Sequence, residues 1–111
     1  MGGLQTVRAD LLAAATVTGD GPVYDNVVPF LATALQLEIT GAPTRVVVNL
    51  QGLISGATYD TLAVLDTDQG YLTGEVVMLQ LPVPVRQVKC NLGTLTGGTA
   101  PTVTAHFAGS M

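Results

Sequence analysis

Aliphatic and polar residues alternate along several stretches of this chain. From Leu35 to Thr40, every odd-numbered residue is aliphatic and every even-numbered residue is polar. Because successive side chains of a β-strand point to opposite faces, this pattern predicts a strand with one buried face and one exposed face. No window of ten or more residues has apolar side chains at helical spacing without a Gly, Pro or β-branched interruption. The chain is therefore expected to be all-β.

The same alternation recurs at intervals of about ten residues, with turn-forming residues between the segments. Further strands are predicted over Arg45–Gln51, Tyr59–Leu65, Glu75–Leu81, Val85–Leu92 and Pro101–Phe107. Residues 5–18 and 23–30 each supply one or two more. This arrangement predicts a single β-sandwich of about seven to nine strands, immunoglobulin-like or jelly-roll-like, with Tyr59 and Phe107 in its core.

Length and charge limit the organisation and the partners. The 111 residues fit one domain over residues 1–111, in which residues 1–18 form either an N-terminal arm or the first strand. The longest uninterrupted apolar run, Leu11–Ala15, is far shorter than a membrane-spanning helix requires. A net charge of −4 with four basic residues disfavours nucleic-acid binding. We therefore expect neither a membrane nor a nucleic acid as a partner.

Few titratable groups are available to build a catalytic site. His106 is the single histidine and Cys90 the single cysteine. His106 alternates with the apolar residues of its segment, which predicts an exposed strand position, whereas Cys90 shares a predicted inward face with Val88. No nucleophile and base can be paired from the sequence, so we expect no enzymatic activity and no cofactor.

One acidic cluster contains Asp66, Asp68 and Glu75, and its Asp-x-Asp-x-Gly order is similar to that of calcium-binding loops. An EF-hand loop that began at Asp66 would need glycine at its sixth position and glutamate at its twelfth, where this chain has Tyr71 and Val77. A solvated turn in which Asp and Gly satisfy the backbone is the simpler explanation. The sequence predicts no metal site.

Charged residues are scarce for a domain of this size. They make up 11% of the chain, against about 25% in an average domain. A surface built largely from Thr, Gly, Gln, Asn and Ala is poorly protected against association. The composition favours a protein whose surface is covered by other subunits. An extracellular β-domain that uses Thr in place of Lys and Glu is the alternative.

Three segments of the chain resemble small β-sandwich domains of tailed-phage virions. Arg45–Gly52 followed by Ala57–Leu62 is similar to their V-x-V-x-L-x-G strand, which leads through a loop to an aromatic residue. Pro84–Leu92 is similar to their P-V-R-x-V-R-x-N-V strand, and Gly97–Ala105 is similar to their closing G-G-x-x-x-T-V-T-x strand. Together the segments cover about the last two-thirds of the chain.

This resemblance implies a structural component of a phage particle, with capsid decoration as the leading hypothesis. Such a protein binds the major capsid protein and neighbouring virion subunits on the outer head surface and stabilises the shell, as a single chain or as a homo-oligomer. The alternative is a tail, fibre or baseplate accessory module, with or without a glycan ligand. Tyr59 stands where Trp is common in the family, and Ile54–Gly56 where an Asp-Gly turn is usual, so no ligand role is carried over to that loop.

Five residues are candidate contacts with a partner. The N-terminal segment has the least sandwich-like pattern, which suggests that Leu4, Val7 and Leu11 reach toward a partner subunit. Tyr24 and Tyr71 lie near predicted turns, where their rings would be exposed and could meet a glycan.

Overall fold

The strands follow one another along the chain with short connections. The computed structural model describes residues 6–25, 32–53, 56, 58–79 and 85–110. Its strands are β1 (Thr6–Ala15), β2 (Gly19–Asp20), β3 (Ala32–Thr40), β4 (Arg45–Leu53), β5 (Tyr59–Asp66), β6 (Val76–Leu79), β7 (Gln87–Thr96) and β8 (Thr102–Ser110). A single 3₁₀ turn, Thr67–Gln69, follows β5 in the described part of the chain.

The pairing of these strands follows a simple rule. Counted from the two ends, β1 pairs with β8, β2 with β7, β3 with β6, and β4 with β5, all antiparallel. Two further pairings, β3 with β8 and β4 with β7, produce two four-stranded sheets in the orders β1-β8-β3-β6 and β2-β7-β4-β5. A chain that doubles back on itself and rolls into two sheets is a jelly roll. The predicted all-β sandwich is confirmed, and its topology is the jelly-roll one.

The two sheets enclose a core that the alternation predicts well. The odd residues Leu35 and Leu37 of β3 are fully buried, and the predicted inward residue Cys90 is also 0% exposed. Removal of these apolar side chains from water is the main force that holds the sheets together. The buried core residues are Leu11, Leu12, Leu35, Leu37, Val46, Val48, Leu50, Leu65, Tyr71, Val85, Val88, Cys90, Leu92, Val103, Ala105 and Phe107.

A β-bulge makes β7 longer than the sequence predicts. The predicted strand is Val85–Leu92, and Gly93 follows it directly. In the structure Val48 pairs with Leu92 and Val47 with Thr94, so Gly93 is an extra residue that is left unpaired. The strand then resumes its register and continues to Thr96. At the other end, β7 begins at Gln87 rather than at Val85.

A second bulge corrects the predicted position of Tyr59. Leu50 pairs with Ala63 and Gln51 with Thr61, which makes Leu62 the extra residue of β5. The bulge reverses the alternation for the residues that precede it. Tyr59 therefore lies on the outer face rather than in the core, and its ring is half-buried there.

The loop before β6 completes the pairing of β3. Since β6 begins at Val76, opposite Gln36, the edge of β3 beyond that point has no neighbouring strand among the described residues. The Tyr71 hydroxyl accepts a hydrogen bond from Leu37 N at 2.8 Å, and Thr73 Oγ1 accepts one from Ile39 N at 2.9 Å. Two side chains thus replace a strand and satisfy the backbone donors of this edge.

The remaining predicted strands are matched in part. Within residues 5–18 the structure has β1, which pairs along β8. Tyr24 forms an isolated bridge with Val88. Residues 26–30, together with Gln80 and Leu81 of the predicted Glu75–Leu81 strand, lie outside the described residues.

Candidate interaction surface

The outer face of the β1-β8-β3-β6 sheet carries two rows of side chains that run across the strands. In the first row the register aligns Arg8, Ala108 and Ala34 with Met78. In the second row it aligns Asp10, His106, Gln36 and Val76. Each row takes one residue from each strand, because residues opposite one another in paired strands lie on the same face.

Small side chains in the first row leave a depression in this face. Ala108 and Ala34 form its floor, since their methyl groups rise little above the sheet. The depression, called the trough below, has a volume of about 420 Å³, within the size range of ligand and side-chain pockets. Its lining residues are Arg8, Ala9, Asp10, Ala34, Gln36, Glu38, Val76, His106, Phe107 and Ala108.

His106 stands at the side of the trough between two carboxylates. Its Nδ1 lies 2.7 Å from Asp10 Oδ1 on β1, and its Nε2 lies 2.8 Å from Glu38 Oε1 on β3. Partial burial opposes the charge of the ring, but the hydrogen bonds to Asp10 and Glu38 outweigh it and raise the pKa of His106. A protonated imidazole donates from both nitrogens, so this geometry suits the charged ring. The arrangement joins three adjacent strands at the middle of the sheet.

The fourth charged residue that lines the trough, Arg8, is available for an external contact. Arg8 is exposed and makes no ion pair with any described residue. Gln36 donates from Nε2 to Gly74 O at 2.8 Å, which holds its amide near the β6 end. The trough therefore has a cation at one end and apolar side chains at the other.

Exposed apolar residues concentrate beside the trough. Val76 and Met78 on the outer face of β6 are 53% and 66% exposed, and Leu72 in the preceding loop is 70% exposed. The other exposed large apolar residues of the described chain, Val17, Val23 and Val64, lie away from the trough. Large apolar residues grouped in this way commonly mark contact surfaces, whereas single ones are ordinary.

The outer face of the other sheet is polar, and its groups bond to one another. Lys89 Nζ lies 2.9 Å from Asp20 Oδ2 and 4.2 Å from the centre of the Tyr59 ring. Asn91 Nδ2 donates to Asp20 Oδ1 at 2.8 Å, and the Tyr59 hydroxyl donates to Gln87 Oε1 at 2.7 Å. Hydrogen bonds from Lys89 and Asn91 lower the pKa of Asp20. The polar side chains named here are therefore already bonded to one another.

The five predicted contact residues do not come together at either surface. Leu4 lies outside the described residues. Val7 is half-buried on β1, whereas Leu11 is only 1% exposed and belongs to the core, so its side chain cannot reach a partner. The expected reach of Leu11 is wrong because Leu11 is the extra residue at the register shift between Asp10 and Leu12, and its side chain is buried in the core beside that of Leu12.

The two predicted tyrosine contacts are also not free rings. Tyr71 is 7% exposed and donates a hydrogen bond to Glu75 O at 2.7 Å, so the expectation that its ring is exposed is wrong. Burial raises the pKa of Tyr71, although a hydrogen bond with the Leu37 backbone partly offsets this. Tyr24 is half-buried, with its ring centre 6.1 Å from that of Phe107. The rings of Tyr24 and Tyr71 therefore do not form a flat aromatic platform for a sugar.

Two carboxylates of the acidic cluster, Asp66 and Glu75, accept hydrogen bonds within the fold. Asp66 accepts a hydrogen bond from Arg45 Nη2 at 2.8 Å and another from Asp68 N at 2.9 Å, and the bond from Arg45 is the main reason that its pKa is lowered. Glu75 Oε1 accepts from Leu72 N at 3.2 Å. Among the described residues, no three His, Cys, Asp or Glu side chains are grouped so that they could hold a metal ion.

Sequence reasoning missed the trough and the exposed side of β6. The trough depends on the register of four strands that do not follow one another along the chain, so the small residues Ala34 and Ala108 could not be placed side by side beforehand. The segment Val76–Leu79 is uniformly apolar and lacks the alternation that would show which residues face outward. An uninterrupted apolar strand in a chain otherwise rich in alternation was the one available signal.

Comparisons with known proteins give a match in fold. No protein-family model matches the sequence, and no curated protein matches it. A solved structure does match. It is the crystal structure of the SPBc2 prophage-derived protein YomS, with a TM-score of 0.73 and 13% sequence identity. The superposition covers 100% of this chain and 97% of YomS, so the two chains share the whole sandwich fold. Within the described residues there is no helix of the length and apolar character needed to cross a membrane.

Proposed function

We propose that this chain is a non-enzymatic structural protein of a tailed-phage particle. It binds the outer surface of the capsid and stabilises the shell as a decoration protein. The observation that carries the proposal is the full-length likeness in fold to a prophage-derived protein of almost the same extent. The three segments that resemble virion β-sandwich domains point in the same direction.

The outer face of the β1-β8-β3-β6 sheet is the surface proposed to meet the shell. The trough receives a side chain of the major capsid protein over Ala34 and Ala108, while Val76 packs against neighbouring apolar groups. Arg8 at the far end pairs with an acidic group of the same subunit. This combination of an apolar centre and a charged rim is the usual anatomy of a specific interface.

The mechanism is cementing by repeated moderate contacts. A specific interface buries about 800 Å² on each partner, and shell subunits offer many equivalent positions. Binding to the assembled shell and not to free subunits stabilises the shell by mass action. Low surface charge serves this role, since neighbouring subunits approach without strong repulsion.

The position of the protein on the particle is tested by electron microscopy of source particles labelled with an antibody to this chain. Label distributed over the head is the expected result. Label confined to the tail or its tip would replace this proposal with a tail, fibre or baseplate role. Particles without label would contradict a virion role altogether.

The contact surface is tested by cosedimentation with shells from which the protein has been removed. Ala108→Lys puts a long charged side chain into the trough and should weaken binding at least tenfold. Thr61→Lys, on the outer face of the opposite sheet, is the matched control and should bind as the wild type does. Equal affinities for the two variants would place the contact elsewhere on the molecule.

A further inference from the structure

The four edge strands of the sandwich differ in how their free edges are protected. β1 has register shifts at Asp10/Leu12 and Leu12/Ala15, and it carries the charges of Arg8 and Asp10. β2 has only two residues, and β5 has a bulge and two aspartates, Asp60 and Asp66. Short length, bulges and charges are the usual devices that prevent a sheet edge from pairing with another chain.

The remaining edge strand, β6, has neither a bulge nor a charge. Its sequence, Val-Val-Met-Leu, has no charge, and its register with β3 is regular from Val76 to Leu79. Among the described residues, β3 is the only strand that pairs with it. Val76 and Met78 project from the outer face and are more than half exposed, while Val77 and Leu79 pack against the core. An uncharged, regular, apolar edge of this kind is a template for strand pairing.

We propose that β6 pairs antiparallel with β6 of a second copy of this chain, across a two-fold axis at Val77. The two β1-β8-β3-β6 sheets then form one continuous sheet of eight strands, four from each copy. Such a dimer forms from this protein alone, whether or not the chain binds a phage particle.

The register follows from the side-chain faces of β6. Directly opposed residues in an antiparallel pair lie on the same face, so Val76 can face Met78 of the second copy but cannot face Leu79. A two-fold axis at Val77 sets Val76 opposite the other copy's Met78 and Val77 opposite the other copy's Val77. This register covers both exposed side chains, whereas an axis at Met78 would set Val76 opposite the polar residue Gln80 of the second copy.

A second copy suits this edge because the strand is complementary to itself. No like charges oppose one another along Val76–Leu79, even though the chain has a net charge of −4. On the outer face, the apolar residues Ala108, Ala34 and Met78 continue onto Val76 of the other copy and so form one apolar strip. A closed two-fold arrangement uses the same patch on both copies and leaves no further β6 edge exposed.

The length of β6 sets the strength of this dimer. A standard specific interface buries about 1,600 Å² in total, and a strand of four residues supplies less than that. The pair therefore belongs to the weak, concentration-dependent class. At low protein concentration the chain is expected to be a monomer, and at high concentration a dimer.

Cysteine cross-linking tests the register. Opposed residues of antiparallel strands have Cα atoms about 4.5 or 5.5 Å apart, and both distances allow a disulfide. Val77→Cys should therefore give a covalent dimer at least tenfold faster than Val17→Cys when both are oxidised with copper–phenanthroline. Val17 is 74% exposed and follows β1, at the opposite edge of the sheet from β6. The native Cys90 should not form a disulfide in this assay, because its side chain is buried and burial raises the pKa of its thiol to about 12.

Sedimentation equilibrium of the unmodified chain tests the association itself. The wild type should associate reversibly, and Met78→Lys, an exposed substitution that leaves the core intact, should weaken the association at least tenfold. A Val17→Lys variant, changed at the opposite edge of the sheet, should associate as the wild type does. A wild type that stays monomeric at about 1 mM, or Val77→Cys chains that cross-link no faster than Val17→Cys chains, would overturn the proposal.

Discussion

The charge of His106 is coupled to folding, because the two carboxylates that hold the ring come from different strands. Its pKa is raised in the folded chain, whereas in the unfolded chain it has the ordinary value of about 6.5. The paired, charged ring therefore stabilises the fold fully below that ordinary value. The stabilisation is lost as the pH rises through the higher, folded-state pKa.

His106→Gln is therefore expected to remove a pH-dependent part of the stability. The ring is 36% exposed, so solvent screening limits the effect at pH 6 to about 0.5–1 kcal/mol. At pH 9 the variant and the wild type should differ little. Urea unfolding at both pH values measures the difference, and no second histidine interferes. Equal losses at pH 6 and pH 9 would show that the ring contributes only through packing.

Beyond Gln36, where β3 no longer pairs with β6, the backbone of β3 is hydrogen-bonded by the side chain of Tyr71. Tyr71→Phe keeps the buried ring but removes the hydroxyl that Leu37 N contacts at 2.8 Å. A buried donor without a partner costs about 1–3 kcal/mol, so we expect the free energy of unfolding to fall by that amount. Tyr59→Phe is the control, since its hydroxyl bonds to Gln87 on the outer face and its loss should cost about 0.5 kcal/mol or less. Denaturant unfolding compares the two, and similar losses would contradict a structural role for the Tyr71 hydroxyl.

The same elements show which features the sequence predicts and which it does not. The faces of β3 were predictable because a period of two is a local property that Leu35 and Leu37 express directly. The bulges at Leu62 and Gly93 were not, because a bulge is defined by the partner strand, and so Tyr59 was assigned to the wrong face. Tyr71 is buried where β3 no longer pairs with β6, and no local sequence pattern indicates that position.

The candidate site was less predictable than the fold for the same reason. Each of its rows takes one residue from each of four strands, in an order that the chain does not follow. Ala34 and Ala108 are ordinary strand residues until β3 and β8 lie side by side. His106 was expected on an exposed strand position, but its two carboxylate partners belong to strands far away in sequence.

For the whole molecule, the pairing of strands counted from opposite ends places the most distant residues together. Thr6 lies opposite Ser110, so the β1–β8 pair must close almost the entire chain. Closing a long loop lowers the entropy of the chain before the stabilising contacts form. Folds dominated by contacts between residues distant in sequence therefore form slowly, on a scale of milliseconds to seconds. The rate of folding should therefore depend on how the chain is connected more than on any single side chain.

A circular permutant tests this dependence without changing the contacts of the sandwich. Joining Met111 to Met1 by a short Gly-Ser linker and opening the chain between Val17 and Thr18 turns the β1–β8 pair into a local hairpin. Val17 is 74% exposed, so the new ends lie in solvent. We expect refolding to become about tenfold faster in stopped-flow measurements, with a change in stability of about 1 kcal/mol or less. An unchanged refolding rate would show that β1 joins β8 only after the rate-limiting step, once the other strands have already closed the core.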